Sequence, residues 1–428
     1  MELAIPDLQP SDAGTLASKV HRPMTLRVCV VSPLYHPNLG GLGRQAQLLT
    51  ERLRKAGVEL FVIARKMEVD DGVSFSPDVE VIRVPSLFPQ WHILEEISLK
   101  NVLISLVFSL GCLRTLVRRR KRYDIVHFHG ASLPLIMALP FLIWMEKKVV
   151  AKVAAANLGT EAGSLSGRYW FLGTLLARLL RRADAFVSIS EEIRQGLRAD
   201  GVAPERIHRI DNFIDTSIFY PPGPGDKDHL KEALGYRGKL LVLYSGRLVP
   251  RKGVEYLLKA WKGLTTEHPD ARLLLLGDGP LQGSLTEMAE DLGITDTVRF
   301  AGRVGDVPRY LRAADLFVLP SVQEGMPNSM LEAMACRLPA VATRIGGVVD
   351  VVGEQGYAWL VEPGRWESLR EGMDKMLTEK DLRDRLSVTA LDKIREKYSL
   401  ESRVSRYLRL YQNCLVQADP GPASQRRP

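Results

Sequence analysis

Short, continuous apolar runs that alternate with helix-like segments constrain the fold of this 428-residue chain more than any other feature. In the first half, the runs that predict strands are LRVCVVSPLY from residue 26, VELFVIA (58–64), VEVIRVP (79–85), DIVHFHG (124–130), KVVAKVA (148–154) and DAFVSIS (184–190). In the second half they are KLLVLYSGR (239–247), ARLLLLGDG (271–279), VRF (298–300), LFVLPS (316–321), AVAT (340–343) and AWLVEP (358–363). Strands of this kind are buried on both faces, as in parallel sheets with right-handed crossovers. The pattern predicts an α/β fold with two Rossmann-like, doubly wound parallel-sheet domains.

Chain length and local composition set the predicted domain boundaries. A chain of 428 residues exceeds the size at which one core usually stops growing. Proline and glycine crowd together at PPGPGDKD (221–228), where no periodicity survives. We therefore predict a flexible N-terminal tail (1–24), a first domain (25–220), a linker (221–238), a second domain (239–395), a C-terminal helix (396–415) that crosses back to the first domain, and a tail (416–428).

The cysteines and the N-terminal segment bear on the compartment. The four cysteines, Cys29, Cys112, Cys336 and Cys414, form no CxxC pair, and a buried free thiol is the usual explanation for a cysteine inside an apolar run. The first 20 residues show no basic segment followed by an apolar one, so they do not predict a secretory signal. A cytoplasmic protein is expected, with peripheral attachment to the cytoplasmic face of the membrane as an open option.

A run of five positive charges, RRRKR, follows the apolar, helix-like stretch from Leu99 to Leu113 in a chain of net charge +8. The run consists of Arg118, Arg119, Arg120, Lys121 and Arg122. It is explained either as a solvated helix end that the helix dipole favours or as a contact to an anionic membrane surface. Nucleic acid is not an expected partner, because no aromatic–basic interleaving accompanies the run. No stretch is expected to span a bilayer, since Leu133 to Met145 is about 13 residues long and contains two prolines.

The segment EGMPNSMLEAMA (324–335) carries the most informative group of polar residues. It follows a predicted strand and enters a helix near Asn328, where Asn328 or Ser329 is expected to cap the helix. Free amides at a helix N-terminus bind anions in the crevice at the carboxyl edge of the sheet. Glu324 and Glu332 both reach this crevice, and their carboxylates can accept the paired hydroxyls of a hexose and a ribose. Either glutamate alone would be better explained as a solvated acid near the helix start, but the spacing of the two and the surrounding sequence favour the anion site.

One further segment supplies cations, and another supplies glycines whose backbone is not covered by side chains. SGRLVPRKG (245–253) places Arg247 and Lys252 after the first strand of the second domain, where they can neutralise a diphosphate; for Lys252, surface charge is the alternative. PNLGGLGR places Gly40, Gly41 and Gly43 between a strand and a helix, where backbone can approach a phosphate or sugar closely. Read as a dinucleotide fingerprint, this loop lacks the acidic residue expected after the next strand, which disfavours an NAD-dependent oxidoreductase.

The remaining candidates lie in the first domain. His127 and His129, in DIVHFHG, point to one face at the carboxyl end of a predicted strand. Two histidines without a third ligand at a recognisable spacing do not predict a metal site, so no metal or other cofactor is expected. Asn157 and Glu161 lie in a polar turn that would face the acceptor. Ser190, in SISEEI, is expected to cap a helix.

These motifs resemble those of glycosyltransferase family 4 and its relatives of the glycosyltransferase-B fold. That family has an E-x7-E element with the spacing of Glu324 and Glu332, followed by a stretch similar to EAMA. This chain departs from the family at Arg337, where glycine is usual, and NFID (212–215) replaces a common NGVD and is expected to serve the hinge region. The resemblance covers roughly residues 26 to 415. It implies two Rossmann-like domains facing across a cleft, the first on the acceptor side and the second binding the nucleotide sugar.

The resemblance also assigns roles around the E-x7-E element. It implies that Glu324 contacts the donor sugar and Glu332 the ribose hydroxyls. The backbone amides around Met326, Pro327 and Asn328 would meet the sugar and the diphosphate.

Roles outside that element follow from the same resemblance. Arg247 and Lys252 would bind the donor phosphates, while Gly277 and Arg303 would line the base pocket. His129 would orient a hydroxyl of the reacting sugar. The glycine-rich loop PNLGGLGR would close over the diphosphate from the first domain.

The predicted function is therefore a retaining transfer of a sugar from a nucleoside diphosphate to an acceptor hydroxyl. The acceptor would be a glycan or a lipid-linked saccharide, in polysaccharide or glycolipid biosynthesis. The resemblance implies that a donor phosphate oxygen takes the acceptor's proton, so that no separate base is required. The alternatives are a catalytically silent protein that binds nucleotide sugars or docks on membranes and, less favoured, an NAD-dependent oxidoreductase.

Overall fold

Both predicted sheets are present in the computed structural model, which describes residues 25–36, 41–67, 78–87, 99–154, 178–353 and 356–416. The strands of the first sheet are β1 (Arg27–Val31), β2 (Glu59–Arg65), β3 (Glu80–Val84), β4 (Ile125–His129), β5 (Lys148–Val153), β6 (Ala185–Ser188) and β7 (Ile207–Arg209). Their spatial order is β3-β2-β1-β4-β5-β6-β7, and all neighbours are parallel. The short strand β7 was not predicted, because its sequence, IHR, is neither apolar nor buried.

The second sheet repeats this design with six strands. They are β8 (Leu240–Ser245), β9 (Ala271–Leu276), β10 (Val298–Gly302), β11 (Leu316–Leu319), β12 (Ala340–Thr343) and β13 (Trp359–Val361). Their order is β10-β9-β8-β11-β12-β13, again with parallel neighbours. The strand order reverses between β1 and β4 in the first sheet and between β8 and β11 in the second. Ligands of doubly wound sheets bind at the carboxyl ends of the strands at such reversals.

Helices cover both faces of each sheet. In chain order they are α1 (Gly41–Lys55), α2 (Leu99–Arg118), α3 (Leu133–Trp144), α4 (Glu191–Ala199), α5 (Asp226–Ala233), α6 (Val254–Leu264), α7 (Gln282–Asp291), α8 (Val307–Ala313), α9 (Asn328–Ala335), α10 (Gly346–Val352), α11 (Trp366–Thr378), α12 (Lys380–Lys397) and α13 (Leu400–Val416). As predicted, Ser190 caps α4, since its hydroxyl accepts a hydrogen bond from the Ile193 amide. Gly41 and Gly43, predicted to precede α1, instead lie in its first turn.

The core of each domain is the layer of apolar side chains on both sides of its sheet. On one face of the first sheet, Phe108 of α2 and Leu139 of α3 pack against Phe61 and Phe128. On the other face, α1 and the C-terminal helix α13 cover the strands, with Tyr407 among the fully buried side chains. The chain thus passes from the second domain back onto the first, and the Ile214 amide donates to the Tyr398 carbonyl where the two crossings meet.

The predicted linker (221–238) contains a helix, which is a correction to the sequence analysis. Helix α5 lies inside it and is anchored to the second domain through Asp315, whose carboxylate is 2.8 Å from Lys227 Nζ and 2.6 Å from Lys231 Nζ. The proline- and glycine-rich composition at 221–225 therefore marks a short connection rather than a long one.

The expectation that no segment is long enough to span a bilayer was also wrong by length and composition. The window Asn101–Arg118 of α2 is long enough and apolar enough to cross a membrane, and 28% of it is buried inside the protein. Pro140 lies inside α3, whereas α2 contains no proline, so the apolar run of α2 continues to the basic residues.

Candidate active site

Several predicted site residues lie at the carboxyl ends of the strands that flank the two strand-order reversals. In the second sheet, Arg247 and Lys252 follow β8, and Glu324 follows β11. In the first sheet, α1 with its glycines follows β1, and His129 is the last residue of β4. The parallel topology puts these positions at the carboxyl edges of the sheets, where a ligand crevice is expected.

Glu324 and Lys252 form an ion pair at the edge of the second sheet. The ammonium of Lys252, at the end of the 3₁₀ turn Pro250–Lys252, contacts Oε1 of Glu324. The Ser321 hydroxyl donates to the same oxygen at 2.8 Å, and Arg251 Nη1 lies 3.6 Å from Oε2. A buried carboxylate requires such donors, because desolvation of an unpaired charge is costly. The arrangement places cations and a carboxylate side by side at the carboxyl edge of the sheet.

Two glycines allow the loops of this edge to touch. Gly253 has φ 63°, and a Cβ there would lie 2.2 Å from the Pro320 carbonyl oxygen. Gly277 has φ 126°, and a Cβ there would lie 1.9 Å from the carbonyl oxygen of Gly246. The turns after β8, β9 and β11 therefore meet through backbone at positions that only glycine can occupy. Arg303, predicted beside Gly277, is exposed, and its Nε lies 3.7 Å from a carboxylate oxygen of Asp278.

The start of α9 connects the two domains, and its capping differs from the prediction. The N-cap is Pro327, whose carbonyl accepts from the Met330 and Leu331 amides, rather than Asn328 or Ser329. The Asn328 side chain is instead engaged across the cleft: its Nδ2 donates to the Gly41 carbonyl at 3.0 Å, and its Oδ1 accepts from Asn212 Nδ2 at 2.9 Å. A tertiary contact has thus replaced the local cap that the sequence favours.

Glu332 lies one turn into α9, facing Arg44 of α1. Burial raises the pKa of the Glu332 carboxyl, and the positive charge of Arg44 acts in the opposite direction. The Arg44 guanidinium also stacks on the Phe219 ring, 5.1 Å from its centroid. Arg44 was not identified from the sequence, although it stands at the end of the glycine-rich motif; only the fold brings it opposite Glu332.

The first domain contributes a buried, basic cluster around His129. Lys152 lies opposite His129 in the β4–β5 register, is fully buried, and donates from Nζ to Asn212 Oδ1 at 2.9 Å. Desolvation lowers the pKa of Lys152 to about 7. Lys152 was missed from the sequence because it stands in a strand-like run, and Asn212 was assigned only to the hinge.

The two histidines of this cluster are neutral near pH 7. Desolvation lowers the pKa of His127 to about 3 and that of His129 well below its usual value, and Lys152 adds to both shifts. His127 Nδ1 is 2.7 Å from the Tyr411 hydroxyl of α13, so this histidine faces the C-terminal helix. Neither ring nitrogen of His129 has a hydrogen-bond partner among the residues that the structure describes. A neutral imidazole of this kind can exchange a hydrogen bond with a ligand hydroxyl.

Comparisons with known proteins agree with this geometry. The family model described as "Glycosyl transferases group 1" matches residues 226–392, and the one described as "Glycosyltransferase Family 4" matches residues 39–218. The chain is a family 4-type glycosyltransferase. The predicted family and the predicted enzyme class are thereby confirmed.

Individual relatives are distant but extend over most of this glycosyltransferase. It is 25% identical over 389 residues to N-acetyl-alpha-D-glucosaminyl L-malate synthase of Bacillus anthracis, covering 89% of this chain and 96% of the relative. It is 28% identical over 321 residues to the UDP-Gal:alpha-D-GlcNAc-diphosphoundecaprenol alpha-1,3-galactosyltransferase of Escherichia coli, covering 73% and 82%. The crystal structure of Anabaena HepE in complex with UDP and glucose has a TM-score of 0.74 at 17% identity, covering 90% and 99%. The structural match confirms the predicted two-domain fold.

Arg337, the departure of this glycosyltransferase from the family pattern, keeps the conformation of the residue it replaces. It has φ 56°, in the left-handed region that glycine occupies without strain. The turn after α9 is therefore retained. It lies at the C-terminal end of α9, away from the candidate site at the helix start.

Some predicted residues of the glycosyltransferase are not placed. Gly40, Asn157 and Glu161 lie outside the described residues, so their assignments remain predictions.

Among the described residues, Glu267, His268 and Asp374 form a group that could hold a metal ion. His268 precedes β9, so this group lies at the amino edge of the second sheet, opposite the candidate site.

Proposed function

We propose that this glycosyltransferase moves a sugar from a nucleoside diphosphate to an acceptor hydroxyl and keeps the anomeric configuration. The observation that carries the proposal is the contact between Lys252 and Glu324 at the reversal point of the second sheet. This contact puts the Lys252 ammonium, which would bind the departing phosphate, next to the Glu324 carboxylate, which would bind the sugar hydroxyls. The HepE structure, which contains UDP and glucose, supports a donor of this class for the shared fold.

The donor would be held by residues of both domains. Lys252 and Arg247 bind the diphosphate, and Glu324 accepts hydrogen bonds from the sugar hydroxyls. Glu332 accepts from the ribose, with its charge balanced in part by Arg44. The amides at the start of α9 would meet the diphosphate, at the point where Asn328 bridges to Gly41 of the first domain.

The bond changes follow from this arrangement. The bond between the anomeric carbon and the phosphate oxygen breaks, and its electron pair goes to the diphosphate, where Arg247 and Lys252 stabilise the added charge. The acceptor oxygen attacks the same face of the sugar, and its proton passes to the departing phosphate oxygen. His129 is neutral and unpaired among the described side chains, which suits it to orient a sugar hydroxyl rather than to act as an acid.

The name of one relative bears on the acceptor, and the cysteines bear on the location of the reaction. The name of the Escherichia coli relative specifies a lipid-linked saccharide acceptor, which supports a saccharide or lipid-linked acceptor here. All four cysteines are free and buried, which supports a reducing, cytoplasmic location for the reaction.

A metal ion is not required in this proposal, because Arg247 and Lys252 supply the positive charge for the diphosphate. We expect nucleoside-diphosphate release to be unchanged, within about twofold, after treatment with EDTA and removal of the chelate. Loss of release that added Mg²⁺ or Mn²⁺ restores would contradict this expectation. The control is the same protein carried through the procedure without the chelator.

The donor class is tested by a thermal-shift screen with UDP-, GDP- and ADP-sugars. A true donor binds only the folded state, so it raises Tm; at 100 times its Kd the stabilisation is about 2.7 kcal/mol. The donor that raises Tm is then tested for turnover, and the anomer of the product is read by proton NMR. We expect an α-linked donor to yield an α-linked product. A β-linked product would contradict the retaining mechanism, and binding without nucleoside-diphosphate release would indicate a silent protein.

A further inference from the structure

Helix α2 presents an apolar stripe to solvent, where a surface helix normally presents polar residues. Leu103, Leu106 and Leu110 are 45%, 37% and 56% exposed. Their spacing of three and four residues puts them on one face of the helix. The exposed stripe continues through Arg114 and Val117 to the end of the helix.

The opposite face of α2 is part of the domain core. Phe108, Cys112 and Leu116 are buried and pack in the cluster that includes Phe61 of the sheet. Helix α2 is therefore apolar on both sides, although only one side packs against the core of the described residues. Because one face is fixed to the sheet, α2 is a surface helix of the first domain rather than a segment that crosses a bilayer.

The neighbouring helix α3 extends the apolar surface. Trp144, its last residue, is 80% exposed, and Phe141 is also exposed one turn earlier. Tryptophan is the side chain most typical of a membrane interface, where its ring lies among the lipid headgroups. Helices α2 and α3 both connect parallel strands, so they run in the same direction and end at the same edge of the sheet.

The basic run at this edge divides into paired and solvent-facing cations. Arg119 and Arg122 contact the Glu80 carboxylate and lie over the Phe61 ring, so they hold the end of α2 to the sheet. Arg118, Arg120 and Lys121 are exposed, and they form no ion pair with any residue that the structure describes. Three cations beside an apolar stripe and a tryptophan match the charge and chemistry of an anionic lipid surface.

We propose that the outer faces of α2 and α3 form a surface that docks on an anionic membrane. Leu103, Leu106, Leu110, Phe141 and Trp144 enter the headgroup boundary, while Arg118, Arg120 and Lys121 contact lipid phosphates. Helix α2 starts at the carboxyl edge of the sheet, the edge that bears the candidate site, and ends at the amino edge, where the basic run lies. This inference goes beyond the proposed function, because it depends only on α2 and α3.

The test is cosedimentation of the full chain with vesicles of phosphatidylcholine alone or mixed with phosphatidylglycerol. We expect binding to the anionic vesicles, weaker binding at 0.5 M salt, and little binding to the neutral ones. Leu110→Glu and Trp144→Glu are each expected to lower the partition coefficient roughly tenfold or more. The matched control is Trp366→Glu, since Trp366 is an exposed tryptophan of the second domain. Equal binding of wild type and both variants, or no binding by the wild type, would overturn the proposal.

The charged part of the surface is tested separately. Arg118→Ser with Lys121→Ser is expected to lower anionic-vesicle binding roughly 30-fold, because each basic residue near such a surface strengthens binding about fivefold. Arg237→Ser with Lys259→Ser, which removes two exposed cations of the second domain, is the control. If both double variants lost anionic-vesicle binding equally, the effect would come from net charge alone, and this would contradict the assignment of the surface to α2 and α3.

A second copy of the chain is the other possible occupant of this surface. If light scattering shows a dimer that Trp144→Glu dissociates, and vesicles do not bind, the surface is a self-association interface and the membrane proposal is wrong. Donor-induced thermal shifts of all variants are expected to equal those of the wild type. A missing donor shift in every protein would count against the proposed function and leave the vesicle result unaffected.

Discussion

At the scale of single residues, burial decides which groups of the cleft carry charge. His127 and His129 are held neutral because burial removes the hydration that a charged imidazole requires, and the nearby Lys152 adds a smaller repulsion. Lys152 reaches the second domain through Asn212, which contacts both Asn328 and the Met326 carbonyl. A single buried ammonium thus organises the link between the two halves of the site.

Lys152 is expected to leave a signature in the pH dependence of stability. Its folded-state pKa of about 7 lies below the unfolded value of 10.5, so between these values the unfolded state binds more protons. The free energy of unfolding of the wild type, minus that of Lys152→Met, should therefore rise with pH above pH 7, by at most about 1.4 kcal/mol per unit. Urea unfolding at pH 7, 8 and 9 measures this difference. A difference that stays flat or falls would contradict the assignment.

Glu332 is expected to act in donor binding rather than in the chemical step. Glu332→Ala should raise the donor KM roughly 10-fold to 100-fold, the value of hydrogen bonds to a charged group, with kcat nearly unchanged. Because burial raises the pKa of this carboxyl, its removal should not lower Tm. Steady-state kinetics measures the effect, with Glu290→Ala on α7 as control. A fall in kcat at constant KM would place Glu332 in the transition state instead.

Site residues differ in how far the sequence identifies them. Glu324, Glu332, Arg247 and Lys252 are candidates because they stand in motifs that resemble those of glycosyltransferase family 4. Lys152 stands in a strand, where a lysine has many explanations, and its role depends on Asn212, 60 residues away along the chain. The contact between Lys152 and Asn212 can be identified only from the folded structure, which brings the strand and the segment around Asn212 together.

At the scale of secondary-structure elements, the site depends on loops at the carboxyl ends of strands. The long apolar strands were predictable, because burial on both faces leaves few other sequences possible. The start of α1 was not, because glycine disfavours helix and yet occupies its first turn. A Cβ at Gly43 would lie 2.8 Å from the Leu34 carbonyl oxygen, so the close approach of α1 to the preceding loop explains this glycine.

Gly277 is expected to tolerate no side chain, because a Cβ there would collide with a neighbouring carbonyl oxygen, as at Gly43. Gly277→Ala would bring a Cβ within 1.9 Å of the Gly246 carbonyl oxygen at φ 126°, so we expect a loss of more than about 2 kcal/mol in the free energy of unfolding. Gly283→Ala is the control: nothing lies within 4 Å of its Cβ inside α7, and it should stabilise by about 0.5–1 kcal/mol. Chemical denaturation measures both. Similar stabilities of the two variants would contradict the close contact.

At the scale of the whole molecule, two groups of polar contacts near the cleft help to join the domains among the described residues. One is the bridge from Asn212 through Asn328 to Gly41 in the cleft. The other lies beside it, where the Asp350 carboxylate accepts from the Glu191 amide at 2.6 Å and lies 3.4 Å from Arg209 Nη2. The relative position of the domains follows from these contacts and from the two crossings near Ile214 and Tyr398, which no local pattern in the sequence predicts.

Asp350→Ala is expected to open the cleft. It removes a contact between the domains without touching the proposed donor, so the radius of gyration should increase and the donor KM should rise severalfold. Small-angle X-ray scattering with steady-state kinetics measures both. Asp374→Ala, which removes a contact to His268 within the second domain, is the control. An unchanged radius of gyration together with an unchanged KM would show that the Asp350 contact does not hold the domains.

The central claim is that Arg247 and Lys252 stabilise a departing nucleoside diphosphate in a nucleotide-sugar transferase. It is tested most directly by the rate of nucleoside-diphosphate release from the donor that the thermal-shift screen selects. Wild type, Arg247→Ala and Lys252→Ala are compared, with their melting temperatures as the check on folding. We predict turnover by the wild type and rates at least roughly 100-fold lower in each variant, as for loss of one donor to a developing oxyanion. Near-normal rates in both folded variants would contradict the account.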